Sequence, residues 1–209
     1  MGNAIDGRLS SMTDAQLALR AQGGDRDAFA CLAERWGGRL CGFLERLLGD
    51  PEEARDTCQE ALLKAYVNIG RLREPAHFKA WIHQIAVNLG RDRGRAQRSR
   101  PTISIEEMSD EHRPRKVEAA QIAEAAVTAE TLDLRGILDR ALARLPVEQR
   151  TAILLREVEG FTSEEIGRIT GVSGTTVRSR IFHGLRALRR MLPEYGVTAG
   201  HLQGMGAET

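Results

Sequence analysis

The chain has 209 residues, a formal net charge of +1, 42% hydrophobic and 28% charged residues, and only 4% aromatic ones. That length allows one or two domains, and the apolar share can fill ordinary cores, which excludes a globally disordered chain. A composition rich in Ala, Leu, Arg and Glu favours helices over sheets, and no apolar run approaches the ~18 residues of a membrane span. The N-terminal stretch "MGNAIDGRLSSMTDAQ" lacks the basic and apolar regions of a secretion signal. The expectation is an all-α cytoplasmic protein with no membrane insertion.

In chain order, Thr13 or Asp14 can cap a short helix through Ala21, which "GGD" at 23–25 stops. Asp25 can cap a longer helix. Its apolar positions Phe29, Leu32, Ala33, Trp36, Leu40, Phe43, Leu44 and Leu47 recur at spacings of three and four, one helical stripe. The glycine pair at 37–38 is expected to weaken or bend it. Gly49 ends that helix, Asp50 caps the next and Pro51 fits its first position. The next helix is expected to reach about Ile69. Residues 70–77 read as a loop, and a fourth helix starts near Pro75 or Ala76. It runs into "RDRGRAQRSR" (91–100), which holds five arginines and one aspartate.

Residues 101–135 then hold eight acids against four bases, with Pro101 and Pro114 and little periodicity. They read as a linker over 100–131, with helix over part of 117–132. A second module spans 132–192. One helix ends at Leu145, and Pro146 opens another that ends at Gly160. Thr162, Ser163, Glu164 and Glu165 form a capping box, in which the Thr hydroxyl takes an orphan amide and Glu165 reaches back. That third helix is short and stops at Gly171, and the fourth begins after Ser173. Each module thus has four expected helices, and 193–209 reads as a tail.

The stretch from Ile166 to Pro193 contains six arginines and no acid. Its order is short helix, "GVS", longer helix, the grammar of a helix-turn-helix. Ile166, Ile169, Val172, Val177 and Ile181 would form its seam, with Gly167 letting the helices approach. The second helix would expose Thr175, Thr176, Arg178, Ser179 and Phe182 or His183. Arginine can pair bidentately with guanine and threonine methyls can touch thymine. Arg186, Arg189 and Arg190 suit phosphate. Two basic blocks flanking an acidic segment suggest two nucleic-acid-facing modules on a tether.

These residues carry a family resemblance. "LPVEQRTAILLREVEGFTSEEIGRITGVSGTTVRSRIFHGLRALRRML" (145–192) resembles region four of bacterial sigma factors of the extracytoplasmic-function group. "AFACLAERWGGRLCGFLERLLGDPEEARDTCQEALLKAYVNIGRL" followed by "FKAWIHQIAVNLGRDRGR" resembles region two of the same group. The resemblance implies core RNA polymerase, promoter DNA and an anti-sigma factor as partners. It implies polymerase docking through Asp56, Gln59, Glu60 and Leu63, and spacing independently gives these residues and Val67 a shared outward face. It also implies contacts with the minus-10 element from Arg73, His77, Lys79, Trp81, His83, Asn88, Arg91, Arg93 and Arg95. For Trp81, packing on the second helix and base stacking both remain open. Contacts with the minus-35 element are implied from Thr162, Ser163, Thr175, Thr176, Arg178, Ser179, Arg180, Phe182, His183 and Arg186. Three positions depart from the family pattern. They are His83, "GTT" at 174–176, and His183.

Cys31, Cys41 and Cys58 are too few and too scattered for a disulfide scaffold, and no spacing suits zinc. The sequence offers no paired carboxylates, nucleophile–base set or phosphate loop. The expectation is therefore a protein that is not an enzyme and uses no metal and no cofactor. Two alternatives stay open from the residues alone. One is a stand-alone regulator binding a palindromic duplex site, and the other a thiol-based redox sensor.

Overall fold

A computed structural model describes the backbone of residues 7–99 and 125–197, with side chains over 8–93 and 134–197. Among these residues every regular element is helical. The first module contains α1 (Gly7–Ser10), α2 (Asp14–Gln22), α3 (Arg26–Leu48), α4 (Pro51–Asn68) and α5 (Phe78–Ser99). The loop between α4 and α5 carries two 3₁₀ turns, Ile69–Arg71 and Pro75–His77.

The local grammar sets most of these bounds. Thr13 caps α2 through a reciprocal box with Gln16. Asp25 and Asp50 each accept two amides at the starts of α3 and α4. Gly49 closes α3 with φ 79°, a left-handed conformation open to glycine at little cost. α3 runs unbroken through Gly37 and Gly38. A Cβ at Gly37 would make only ordinary contact with Leu62, at 3.8 Å, and the Cys58 thiol reaches the Gly37 carbonyl at 3.5 Å.

α3 is the spine of the first module. Leu32, Leu40, Phe43, Leu44 and Leu47 are buried along it, and α2, α4 and α5 pack around that stripe. Asp14 fixes α2 to it by accepting the Trp36 indole N–H at 2.9 Å. The short α1, which the sequence pattern did not signal, buries Leu9, and Arg35 donates to the Ser10 and Met12 carbonyls beside it.

The second module contains α6 (Ala125–Ala143), α7 (Val147–Ile153), α8 (Ser163–Thr170) and α9 (Gly174–Met191). α6 begins inside the segment read as linker, whose residues 100–124 lie outside the described residues. Pro146 is the residue before α7 rather than its first position. After Ile153 the helix widens into a π turn over Leu154–Val158, and Gly160 leaves it with φ 73°. Residues 193–197, read as tail, fold back. Val197 is buried, and Glu194 pairs with Arg144 at 2.6 Å.

The two modules pack directly on each other. α8 lies on α5, and the π turn and α7 lie on α3. Arg150 donates to the Leu47 carbonyl at 2.7 Å, and Arg46 stands 3.6 Å from Asp139.

Candidate polymerase and promoter interface

On α4, Ala54, Thr57, Cys58, Ala61 and Ala65 face inward. Asp56, Gln59, Leu63 and Val67 are exposed, and Glu60 is half-buried. Leu63 and Val67, 62% and 71% exposed, lie one turn apart and make an apolar strip beside the acids. Isolated exposed apolar residues are ordinary, but a paired strip flanked by acids suits a partner surface. Glu60 is less available. Hydrogen bonds from Lys64 at 2.9 Å and Arg93 at 3.0 Å hold its carboxyl below its ordinary value. Arg93, expected to face DNA, is thereby tied to α4.

Arg73 and His77 are exposed in the loop before α5, with His77 2.9 Å from Glu74. Trp81 and Asn88 line an open groove of about 320 Å³ with Lys64, Arg71 and Asp92. Trp81 is half-buried, tilted against Phe78 at 6.1 Å, so it forms a wall of the groove while backing onto the core.

Three of the expected minus-10 contacts lie elsewhere. His83 is fully buried, ringed by Trp36, Phe43 and Phe161, and faces Glu159 of the second module. In this arrangement it cannot reach a nucleic acid. Lys79 donates to the Glu159 carbonyl and lies 4.5 Å over the Phe161 ring. Arg91 donates to the Thr170 carbonyl at 3.1 Å. The Arg95 side chain lies outside the described residues.

The helix-turn-helix follows from its punctuation. Thr162 and Glu165 form the capping box that opens α8, with the Glu165 carboxyl accepting from the Thr162 amide and hydroxyl, each at 2.8 Å. Ser163, the first residue of α8, is half-buried there. Gly171 ends α8 at φ 73°, and Ser173 caps α9 by accepting the Thr176 amide. Ile166, Ile169 and Val177 are buried in the seam, with Val172 and Ile181 half-buried. At Gly167 any Cβ would stand 2.7 Å from the Val172 carbonyl oxygen, so the turn closes only over glycine. α9 in turn presses Gly184 onto α7, where a Cβ would meet Ile153 at 2.6 Å.

Thr175, Thr176, Arg178, Ser179, Phe182, His183 and Arg186 are exposed on α9, and Arg180 is half-buried. Arg178 does not wave freely. It donates to Glu164 at 2.9 Å and to the Thr175 hydroxyl at 3.1 Å. His183 lies edge-on to the exposed Phe182 ring at 5.4 Å. Glu164 and Gly174, neither an expected site residue, shape this surface together, since a Cβ at 174 would crowd the Glu164 carboxylate at 3.0 Å.

Cys41 and Cys58 do not suit a reactive sensor. Burial and the neighbouring Cys41 push the Cys58 thiol up to about 11, and burial raises Cys41 as well. Reactivity follows the thiolate, which both shifts disfavour. Among the described residues no group of His, Cys, Asp and Glu could hold a metal ion, and no helix is long and apolar enough to cross a membrane.

Among the described residues, fold and surfaces together define a helical protein with a helix-turn-helix whose second helix exposes an arginine-bearing face. The family description "Sigma-70 region 2" matches residues 32–100, and "Sigma-70, region 4" matches residues 135–188. The chain is 32% identical over 190 residues to the RNA polymerase sigma-H factor of Pseudomonas aeruginosa, covering 88% of this chain and 96% of that one. It is 33% identical to the ECF RNA polymerase sigma factor SigW of Bacillus subtilis, covering 81% and 91%, and 33% identical to the ECF RNA polymerase sigma-E factor of Escherichia coli, covering 85% and 93%. Among solved structures, CnrH in complex with the cytosolic domain of CnrY shares the fold, with a TM-score of 0.63 at 22% identity over 87% of this chain and 97% of that one. This chain belongs to the extracytoplasmic-function family of RNA polymerase sigma factors, the subunits that direct that enzyme to promoters.

Proposed function

We propose a division of labour among the surfaces of this sigma factor. The outward face of α4, with Asp56, Gln59, Glu60 and Leu63, binds core RNA polymerase. The loop before α5, with Arg73 and His77, and the groove lined by Trp81 and Asn88 take the melted minus-10 strand. Cationic groups on α5 follow its phosphates while aromatic surfaces hold unstacked bases. The exposed face of α9 reads the minus-35 duplex, with Arg178 against a guanine edge and Arg186 on phosphate. In these terms residues 13–99 act as region two, 132–192 as region four, and 100–131 as the tether.

The observation that carries this reading is the coexistence of two surfaces. The apolar strip of Leu63 and Val67 fits a protein partner, and the acid-free, arginine-bearing face of α9 fits DNA. The protein acts by binding, in the cytoplasm, without catalysis, metal or cofactor of its own. An anti-sigma factor is its expected regulator. In support, the solved relatives include CnrH bound to CnrY and the sigma factor RpoE bound to the anti-sigma factor NepR of Bartonella quintana. Run-off transcription with purified core polymerase tests the whole reading. A promoter-dependent transcript is expected with this protein and not without it, and its absence together with failure to co-purify with core would end the proposal.

A further inference from the structure

The junction of the two modules holds a buried acid–imidazole pair that none of these binding surfaces uses. The side chains of His83 on α5 and Glu159, just past the π turn, are 0% and 3% exposed. His83 Nε2 and Glu159 Oε2 stand 3.3 Å apart without hydrogen-bond alignment, and neither atom has a hydrogen-bond partner. The other ring nitrogen, Nδ1, lies 2.8 Å from the Lys79 carbonyl oxygen. A carbonyl only accepts, so that geometry puts a proton on Nδ1. In a neutral ring Nε2 would then point a lone pair at a carboxylate. The close approach therefore requires one more proton, on the ring or on the acid.

The surroundings offer no substitute for it. From α3, Arg39 reaches Glu159 Oε2 only at 4.0 Å. From α5, Lys79 is spent on the Glu159 backbone carbonyl. The remaining walls around the ring are the edges of Trp36, Phe43 and Phe161. Burial pushes the Glu159 carboxyl up, while His83, Arg39 and Lys79 outweigh it and hold it below its ordinary value. The acid is thus held toward its ionised form in the docked arrangement, and the pair still requires its one extra proton. Docking also covers part of α5, because Lys79 and Arg91 both donate to carbonyls of the second module.

We propose that the docked arrangement is an off state, in which region four occupies the part of α5 that takes single-stranded DNA and a single proton between His83 and Glu159 holds it shut. The off-state half rests on the reading of α5 as a DNA surface, whereas the proton latch does not. Loss of the proton leaves a lone pair facing a carboxylate in a water-poor site, an arrangement that burial penalises. Docking is thus favoured while the pair holds that proton and weakens as rising pH removes it. The carboxyl has the opposite sign. Its contribution persists above the ordinary carboxylate range and fades only as pH falls through its depressed value.

Small-angle X-ray scattering of the full chain reads docking without DNA or polymerase. Between about pH 5 and about pH 9 the wild-type chain should expand as pH rises. One linked proton changes the docking constant by up to about tenfold per pH unit. Glu159→Gln supplies an amide N–H that an unprotonated Nε2 can accept, so this variant should stay compact throughout. Glu159→Ala should be expanded throughout, with circular dichroism separating undocking from unfolding. A labelled single-stranded deoxyoligonucleotide should bind Glu159→Ala several-fold more tightly than Glu159→Gln.

A wild-type chain equally compact across the range would overturn the latch, as would Glu159→Gln following the wild-type curve. If Glu159→Ala loses helicity, the comparison of wild type with Glu159→Gln still decides the matter. Expansion with unchanged oligonucleotide affinity would remove the off-state half. Expansion with no oligonucleotide binding in any variant would show instead that α5 is not a DNA surface.

Discussion

Arg178 gains its meaning from two neighbours of different kinds. Glu164 and the Thr175 hydroxyl each take one of its N–H groups, leaving three of the five outside these two bonds. Both Arg178 and Glu164 are more than half exposed, so the ion pair itself adds little stability. Its value lies in orientation. Arg178→Ala should weaken use of the preferred minus-35 sequence by about 1–3 kcal/mol and flatten discrimination at one base pair, as measured by transcription from a set of minus-35 variants. Equal loss across that set would mark a phosphate contact instead. Gly174→Val should push Glu164 away from Arg178 and blur the same base pair less severely, given the 3.0 Å approach of a Cβ at 174. Gly167→Ala belongs to another mechanism. Its Cβ would meet a backbone carbonyl at 2.7 Å, an overpacked turn that should cost about 1–3 kcal/mol and lower the melting temperature.

At the scale of elements, α4 separates its duties by face. Its inner face is alanine-rich and lies close to α3, while its outer face keeps Leu63 and Val67 in water. Leu63→Asp should abolish co-purification with core polymerase while leaving helicity near wild type and stability within about 0.5 kcal/mol of it, since the side chain is 62% exposed. Element ends were legible in the sequence because their causes are local. Thr13, Asp25, Asp50, Thr162 and Ser173 cap by bonds to amides two or three residues away, and Gly49 and Gly171 stop helices through their own backbone. The buried arc of α5 was not. Phe78, Ile82, Ala86 and Leu89 form one stripe, but His83, Val87 and Gly90 are buried beside it. That arc is wide because α3 and α4 cover one side and α8 another. A histidine in the second stripe looks like a surface residue until the other module is docked.

For the molecule as a whole, charge is distributed by duty rather than balanced locally. α9 carries arginines on an exposed face, so DNA affinity should fall steeply as salt rises, with a log–log slope near −0.9 for each phosphate contact, measurable by titration at several salt concentrations. Glu60 and Glu165 both sit below their ordinary values. Hydrogen bonds from Lys64 and Arg93 lower the first, and the Thr162 amide and hydroxyl lower the second. A depressed carboxyl stabilises the fold above its ordinary range and loses that contribution as pH falls through the lowered value. Chemical denaturation should therefore show stability declining below about pH 4, where ordinary carboxylates protonate. The docking of one module on the other was the part that sequence could not supply. Glu159 carries no local signature, and Arg150 reveals its reach to Leu47 only across a sequence separation of 103.

The π turn at Leu154–Val158 is a matter of counting as much as of geometry. Its wide bonds accommodate a residue more than a regular helix would, with the Glu159 amide reaching back to Leu154 and that of Phe161 to Leu155. Each residue of an α-helix turns the chain by about 100°. Shortening this segment by one residue would let it run on as a regular helix and swing Glu159 out of its cage toward solvent. The two modules would then come apart through a change of length alone, with every side chain of the junction still encoded.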